Sequence, residues 1–211
     1  NLAHSSQAIQ HYRKALSSYR QGGTPADLYQ LYFKLKALLS ENSYQQLELV
    51  QQIVGALSKD AAFSEFKSIL LRDKINLLLQ DKALDKALKN CLELQQLLKQ
   101  LYQPKLEVQL AFYLGEVYAQ RGKWHAALDQ LTRASKKIYV IHRPDFHVQT
   151  LIQLALIYKE QALYGFALKI LYSAKEIALK KGFTEQINEI KLHLGHIYLL
   201  VHNFLKAFEL L

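Results

Sequence analysis

Glycine, proline, cysteine and methionine are all scarce in this chain. Among 211 residues there are 8 Gly, 3 Pro, 1 Cys and no Met. So few turn formers exclude an all-β domain, which needs many tight connections, and favour long helices. A lone thiol, Cys91, excludes an internal disulfide framework and a cysteine-based metal cluster. It mildly favours a reducing compartment, so a cytoplasmic location is expected. No apolar run approaches the roughly 20 residues of a bilayer span; the longest resemble "IYLLV". The first residues lack the charged-then-apolar plan of a signal peptide. They also lack an initiating Met, and "KAFELL" ends inside a helical pattern, so an excerpt of a longer protein is expected. Catalytic signatures are missing too: no G-x-S-x-G, no phosphate-cradling glycine loop and no H-E-x-x-H. No enzyme activity, catalytic residue or cofactor is therefore expected.

What is present is a repeat. Leu114-Gly115, Leu154-Ala155 and Leu194-Gly195 lie in steps of 40 residues. Tyr118, Tyr158 and Tyr198 share that register, as do Ala127, Ala167 and Ala207. Leu131 matches Leu171, Ala134 matches Ala174, and Pro104 matches Pro144. One step earlier stand Ile75, Leu78, Ala87, Cys91 and Leu94, and the pattern weakens further toward the N-terminus. A fixed period between 20 and 50 residues marks a stacked array.

Each period reads as two antiparallel helices. The first carries the Leu-Gly/Ala pair and the Tyr; the second carries a small residue near its start. Small residues let two axes approach to the usual 8–10 Å or so, with Tyr118 and Leu131 filling the wider part. Gly122 sits at the turn, where a left-handed residue costs least. Ala162 and His202 take that place in later periods, so a different turn is expected there. Pro25, Pro104 and Pro144 open helices, and Thr24 and Thr184 are expected N-caps. The predicted helices span about 3–20, 26–40, 43–57, 62–80, 83–101, 104–120, 123–138, 144–160, 163–181, 184–200 and 203–211.

The spacing Leu114-Gly115-Tyr118-Gly122-Ala127-Leu131-Ala134, with Pro144 beyond it, resembles the tetratricopeptide repeat, whose basic unit of about 34 residues is here lengthened. Such long units are similar to those of bacterial regulatory and sensor proteins. The resemblance implies an all-α solenoid of stacked helix pairs with a right-handed superhelical twist. It implies a single domain over 1–211, with units 24–57, 62–101, 103–138, 144–181 and 184–211 after a leading half-unit at 3–20. It also implies a concave groove lined by first helices, and no chemistry.

Register positions on the first helices then name the expected partner-binding residues. They are Tyr29, Tyr32 and Lys36; Arg72, Asn76 and Gln80; Gln109, Phe112 and Glu116; Gln149 and Ile152; and His196. Amides can satisfy a peptide backbone and aromatics supply contact area, so a protein or peptide suits this lining. Arg72 and Asn76 partly resemble the basic-plus-asparagine pair that some family members use on a carboxylate. Tyr113, Gln149 and Gln153 do not complete that arrangement, and an ordinary solvated face is the plainer reading.

Other features point to structure. His193, His196 and His202 lack a further converging ligand, so no metal site is expected. Cys91 occupies a core position of the repeat. The net charge of +9 concentrates between Arg121 and Lys181, where eleven Lys and Arg face four Asp and Glu. Cations ending second helices complement the macrodipole; the sharper reading is a face for an acidic partner. The expected function is a non-catalytic protein- or peptide-binding module of a larger regulatory or signalling protein. A structural scaffold subunit, self-associating through an open C-terminal end, is the alternative. A basic solenoid that binds nucleic acid is a third reading.

Overall fold

The computed structural model describes Gln10, Lys14 and residues 25–39, 43–56 and 63–210. No strand occurs among the described residues, and the α-helices follow in pairs. They are α1 (Pro25–Leu38), α2 (Ser43–Ala56), α3 (Ser64–Gln80), α4 (Leu84–Leu98) and α5 (Pro104–Gln120). Next come α6 (Trp124–Lys136), a 3-10 turn (Ile138–Val140), α7 (Pro144–Glu160), α8 (Tyr164–Lys181), α9 (Thr184–Leu200) and α10 (Phe204–Leu210). The boundaries fall within three residues of those read from the sequence, except that Thr24 and all but Gln10 and Lys14 of the expected helix 3–20 lie outside the described residues. Pro25, Pro104 and Pro144 each begin a helix, where their missing N–H is not needed. Thr184 does not cap α9. It is the first helical residue, Phe183 precedes it, and no side chain bonds the free amides there.

The chain forms two compact units, residues 1–106 and 107–211. In the first, Tyr32, Leu39, Leu49, Val50, Ile53, Phe66 and Leu70 join α1, α2 and α3 in one core. Further along, Leu71, Ile75, Leu78, Ala87, Cys91, Leu94 and Leu98 are buried on α3 and α4. In the second unit, Val148, Ile152 and Ala155 of α7 pack with Ala167, Leu171, Ala174 and Ala178 of α8 and with Ile190, Leu194 and Ile197 of α9.

Helix crossings explain the small residues. A Cβ added to Gly115 would lie 2.5 Å from Leu131 Cγ and 2.8 Å from Cδ2. The Leu131 side chain on α6 thus rests directly on the α5 backbone. Ala155 and Leu171 hold the same register in the next pair, both fully buried. In the first unit the sizes are exchanged: Ile75 stands on the first helix and Cys91 on the second, both fully buried. One bulky and one small member suffice, and either helix can supply the small one.

The turns correct the sequence reading. Lys82, Gly122, Ala162 and His202 all have positive φ, at 55°, 69°, 56° and 57°. Ala162 and His202 therefore keep the glycine conformation. The backbone explains why. In each turn the left-handed residue donates to the carbonyl three back, and the next residue donates to the carbonyl five back, as in Ala162 N to Lys159 O at 3.0 Å and Leu163 N to Tyr158 O at 2.9 Å. These two bonds satisfy the last carbonyls of the first helix. They outweigh a left-handed cost of about 1–2 kcal/mol for a residue with a Cβ.

Two outcomes follow for stability measured by urea denaturation. Gly115→Ala is expected to lose about 1–2 kcal/mol by overpacking Leu131, whereas Gly165→Ala, with nothing within 4 Å of its Cβ position, gains about 0.5–1 kcal/mol. Ala162→Gly is expected to gain about 0.5–1 kcal/mol, because released left-handed strain exceeds the added flexibility of the unfolded chain. A loss on that substitution would contradict the strain argument.

Candidate functional site

On the first-helix faces of the first unit, one carboxylate organises the polar residues. Asp73 of α3 is almost fully buried. Its Oδ2 accepts from Tyr32 Oη at 2.6 Å and from Lys36 Nζ at 2.7 Å, both on α1. Its Oδ1 accepts from Arg72 Nε at 3.0 Å and Nη2 at 2.8 Å. Burial pushes the Asp73 carboxyl up, but the Arg72 charge and the Lys36 and Tyr32 hydrogen bonds outweigh it and hold the group below the usual carboxylate range. Burial, with the Asp73 charge added, drives the Tyr32 phenol well above its ordinary value, so it is a permanent donor. Breaking a buried pair of this kind costs about 3–5 kcal/mol.

An aromatic cluster adjoins the charges. Tyr29 lies 4.7 Å from Phe33 and 5.5 Å from Phe66 between ring centroids, and Tyr29 and Phe33 keep about two fifths of their surface exposed. Helical spacing sets Tyr29, Phe33 and Lys36 on one face of α1. Asn76 and Gln80 continue along α3, both exposed. Of the residues expected from the sequence, the structure thus joins Tyr32, Lys36 and Arg72 through a fourth, Asp73, that the register list omitted.

In the second unit the corresponding faces are less charged. Gln109 is half-buried on α5, and Gln149 of α7 and His196 of α9 are exposed. Glu116 is half-buried, with no hydrogen bond or ion pair to its carboxylate among the described residues, and burial pushes it up to about 7. Burial likewise lowers His147. His193 lies 3.8 Å from Glu189, one helical turn away.

Three expected groove residues are corrected by their burial. Tyr32, Phe112 and Ile152 are 1%, 5% and 1% exposed. Phe112 packs against Phe146 of α7 at 4.7 Å between ring centroids, and Ile152 belongs to the core with Ile190 and Leu194. First helices of successive pairs pack on one another, so these positions turn toward the neighbouring helix and offer a partner no free surface. Cys91 is fully buried at the repeat position held later by Leu131 and Leu171. In the basic segment, Arg143 pairs with Asp145, Lys159 with Glu160 at 3.1 Å and Lys180 with Glu176 at 2.7 Å. Arg133, Lys136, Lys137, Lys169 and Lys181 are exposed.

Comparison with known proteins agrees with this geometry. No family model matches the chain, and no curated protein matches it. Solved structures do. BtubC (BKLC) from P. vanneervenii aligns with a TM-score of 0.77 at 14% identity, over 99% of this chain and 86% of its own. The STAND protein PH0952 from Pyrococcus horikoshii, with a tetratricopeptide repeat sensor, aligns at 0.67 and 15% identity, over 88% of this chain and 31% of its own. The Rap conjugation gene regulator of the plasmid pLS20, in complex with the Phr* peptide, aligns at 0.59 and 12% identity, over 98% of this chain and 63% of its own. The fold is a tetratricopeptide-type helical repeat.

Glu116 yields a pH test. Its carboxyl is raised from 4.5 in the unfolded chain to about 7 in the fold, so the folded state holds the extra proton between those values. Stability is then fully present below about 4.5 and is lost as pH rises through about 7. Glu116→Gln is expected to raise the stability at pH 8 by on the order of 2–3 kcal/mol, and the melting temperature with it, and to leave both nearly unchanged at pH 4.5. The difference from wild type at each pH separates Glu116 from His147.

Proposed function

We propose that this chain is a non-catalytic module that binds a protein or peptide along its first helices, within a larger regulatory or signalling protein. The observation that carries the reading is the set of polar first-helix residues left open after packing: Asn76 and Gln80 in the first unit, Gln149 and His196 in the second. Amides one turn apart can satisfy the N–H and C=O groups of an extended or helical segment without imposing charge. The fold supports it, since one similar structure holds the Phr* peptide and another is described as having a repeat sensor. Within this reading, the exposed cations between Arg121 and Lys181 are a secondary face for an acidic partner.

A scaffold reading draws on a different observation. Phe204, Leu205 and Phe208 of α10 are 62%, 74% and 86% exposed, and Leu199 and Leu200 of α9 are exposed as well. Contiguous apolar surface of this kind suits assembly or self-association.

The two readings separate by mutation. A displayed library of short peptides selected on the chain should yield binders that Gln149→Ala or His196→Ala weakens about three- to tenfold in calorimetry, with melting temperature unchanged. Binders insensitive to both changes, and to Asn76→Ala, would remove the groove reading. Loss of self-association on Phe208→Ser alone, with no peptide selected, would favour the scaffold.

A further inference from the structure

In the second unit two phenols meet between two cations. The Tyr172 hydroxyl of α8 lies 2.9 Å from the Tyr198 hydroxyl of α9. Lys206 of α10 holds its Nζ 5.5 Å from the centre of the Tyr198 ring. Lys175 stands one turn beyond Tyr172 on the same face of α8. The bond to Tyr198, and burial after it, raise the Tyr172 phenol against the opposing charges of Lys175 and Lys206, so it stays protonated. Both cations therefore act on one hydroxyl, from two different helices.

Neither cation is in an ion pair among the described residues. Glu176, beside Lys175, is taken by Lys180 at 2.7 Å, and Glu209, one turn beyond Lys206, makes no such pair with it. Lys169, one turn before Tyr172, is exposed and adds to the positive field. The two phenols share a single hydrogen bond, so one O–H is left to donate outward. Tyr172 is 44% exposed and Lys206 is exposed, so these donors reach the surface.

Packing does not call for this set. Forty residues earlier the same positions hold Thr132, Ser135, Tyr158 and Phe166, none of them charged. There Phe166 stacks on Tyr158 at 5.6 Å between ring centroids, in the place that Lys206 takes over Tyr198. An apolar ring covers the tyrosine at that position, so a lysine is not needed to cover it.

We propose that Tyr172, Lys175 and Lys206 form a site for the phosphate of a phosphorylated side chain on a protein partner. The inference goes beyond the groove reading and uses none of its residues. Two ammonium groups match a phosphate monoester, whose charge approaches −2 above its second pKa of about 6. A carboxylate or a sulfate ester would leave one of them uncompensated. A phosphate also presents three outer oxygens, one for each donor, where a carboxylate presents two. The donors lie on an open helix surface, so the remaining contact area has to come from the chain that carries the phosphate.

The full chain, with ¹³Cζ-labelled tyrosine, would be titrated at pH 8 with N-acetylphosphoserine amide, the matching serine sulfate, N-acetylserine amide and inorganic phosphate. It would also be sedimented with vesicles containing phosphatidic acid. The phosphoserine probe is expected to move the Tyr172 and Tyr198 signals and to bind at least about tenfold more tightly than the sulfate. Lys175→Gln, Lys206→Gln and Tyr172→Phe should each weaken it about three- to tenfold, while Gln149→Ala and His196→Ala leave it unchanged. The phosphate and sulfate comparison needs no variant, and Lys206 is exposed, so a poorly folded Lys175→Gln does not blunt the test. Equal binding of phosphate and sulfate, unmoved tyrosine signals, or full affinity in Lys206→Gln would overturn the site. Inorganic phosphate binding more tightly than the ester, or vesicles captured through Lys206 while the ester is not bound, would overturn it in favour of a free anion or a membrane. Failure here leaves the groove reading standing, because the selected peptides report on Gln149 and His196.

Discussion

A leucine side chain lying on a helix backbone is the contact from which the repeat geometry follows. Leu131 reaches the α5 main chain because residue 115 has no side chain. That sets how near α6 approaches α5, and the turn between them must then reverse the chain over a short distance. The left-handed residue with its two backbone bonds does so, and it recurs at Lys82, Gly122, Ala162 and His202. Short approach and tight reversal together place the next first helix against the previous one. That contact in turn buries Phe112 against Phe146 and Ile152 among the α8 and α9 core residues. What remains open on a first helix is decided by how much of it the neighbouring first helix covers.

The two units solve that side contact with different chemistry. In the second it is apolar, and a carboxyl near it, Glu116, has no hydrogen bond or ion pair among the described residues and holds its proton into the neutral range. In the first the contact is ionic: a buried carboxylate takes donors from α1 and α3 and stays ionised far below neutrality. Low dielectric acts on both groups. It raises the acid that lacks a partner and strengthens the bonds of the partnered one, so the presence of donors, not burial by itself, decides the protonation state.

Helix positions were legible from the sequence because proline, the small-residue pair and the 40-residue register act locally. The weaker signal in α3 and α4 has a physical cause. Ile75 and Cys91 exchange the bulky and small roles, which preserves the packed volume while erasing the Leu-Gly signature. Turn conformation was misread because residue type is a poor guide where backbone bonds decide φ. The site was harder. Register names which residues share a face, but not how far the adjacent helix covers that face, so it counts Tyr32, Phe112 and Ile152 as open although they are core. Asp73 was missed because an acid at an apolar position carries no repeat signal. A clue was available: Tyr32 and Asp73 lie 41 residues apart, which sets them on facing turns of successive first helices.

The left-handed turns have one more use. Gly122, Ala162 and His202 are exposed, share one backbone shape and sit at equal intervals along the second unit, while Cys91 is sealed in the interior. Because main-chain bonds rather than side chains hold that shape, the tips tolerate attached groups. Cysteines introduced there would accept paired spin labels or fluorophores and turn this half of the molecule into a graduated scale. On such a scale, a change in spacing between neighbouring helix pairs is read directly as a distance.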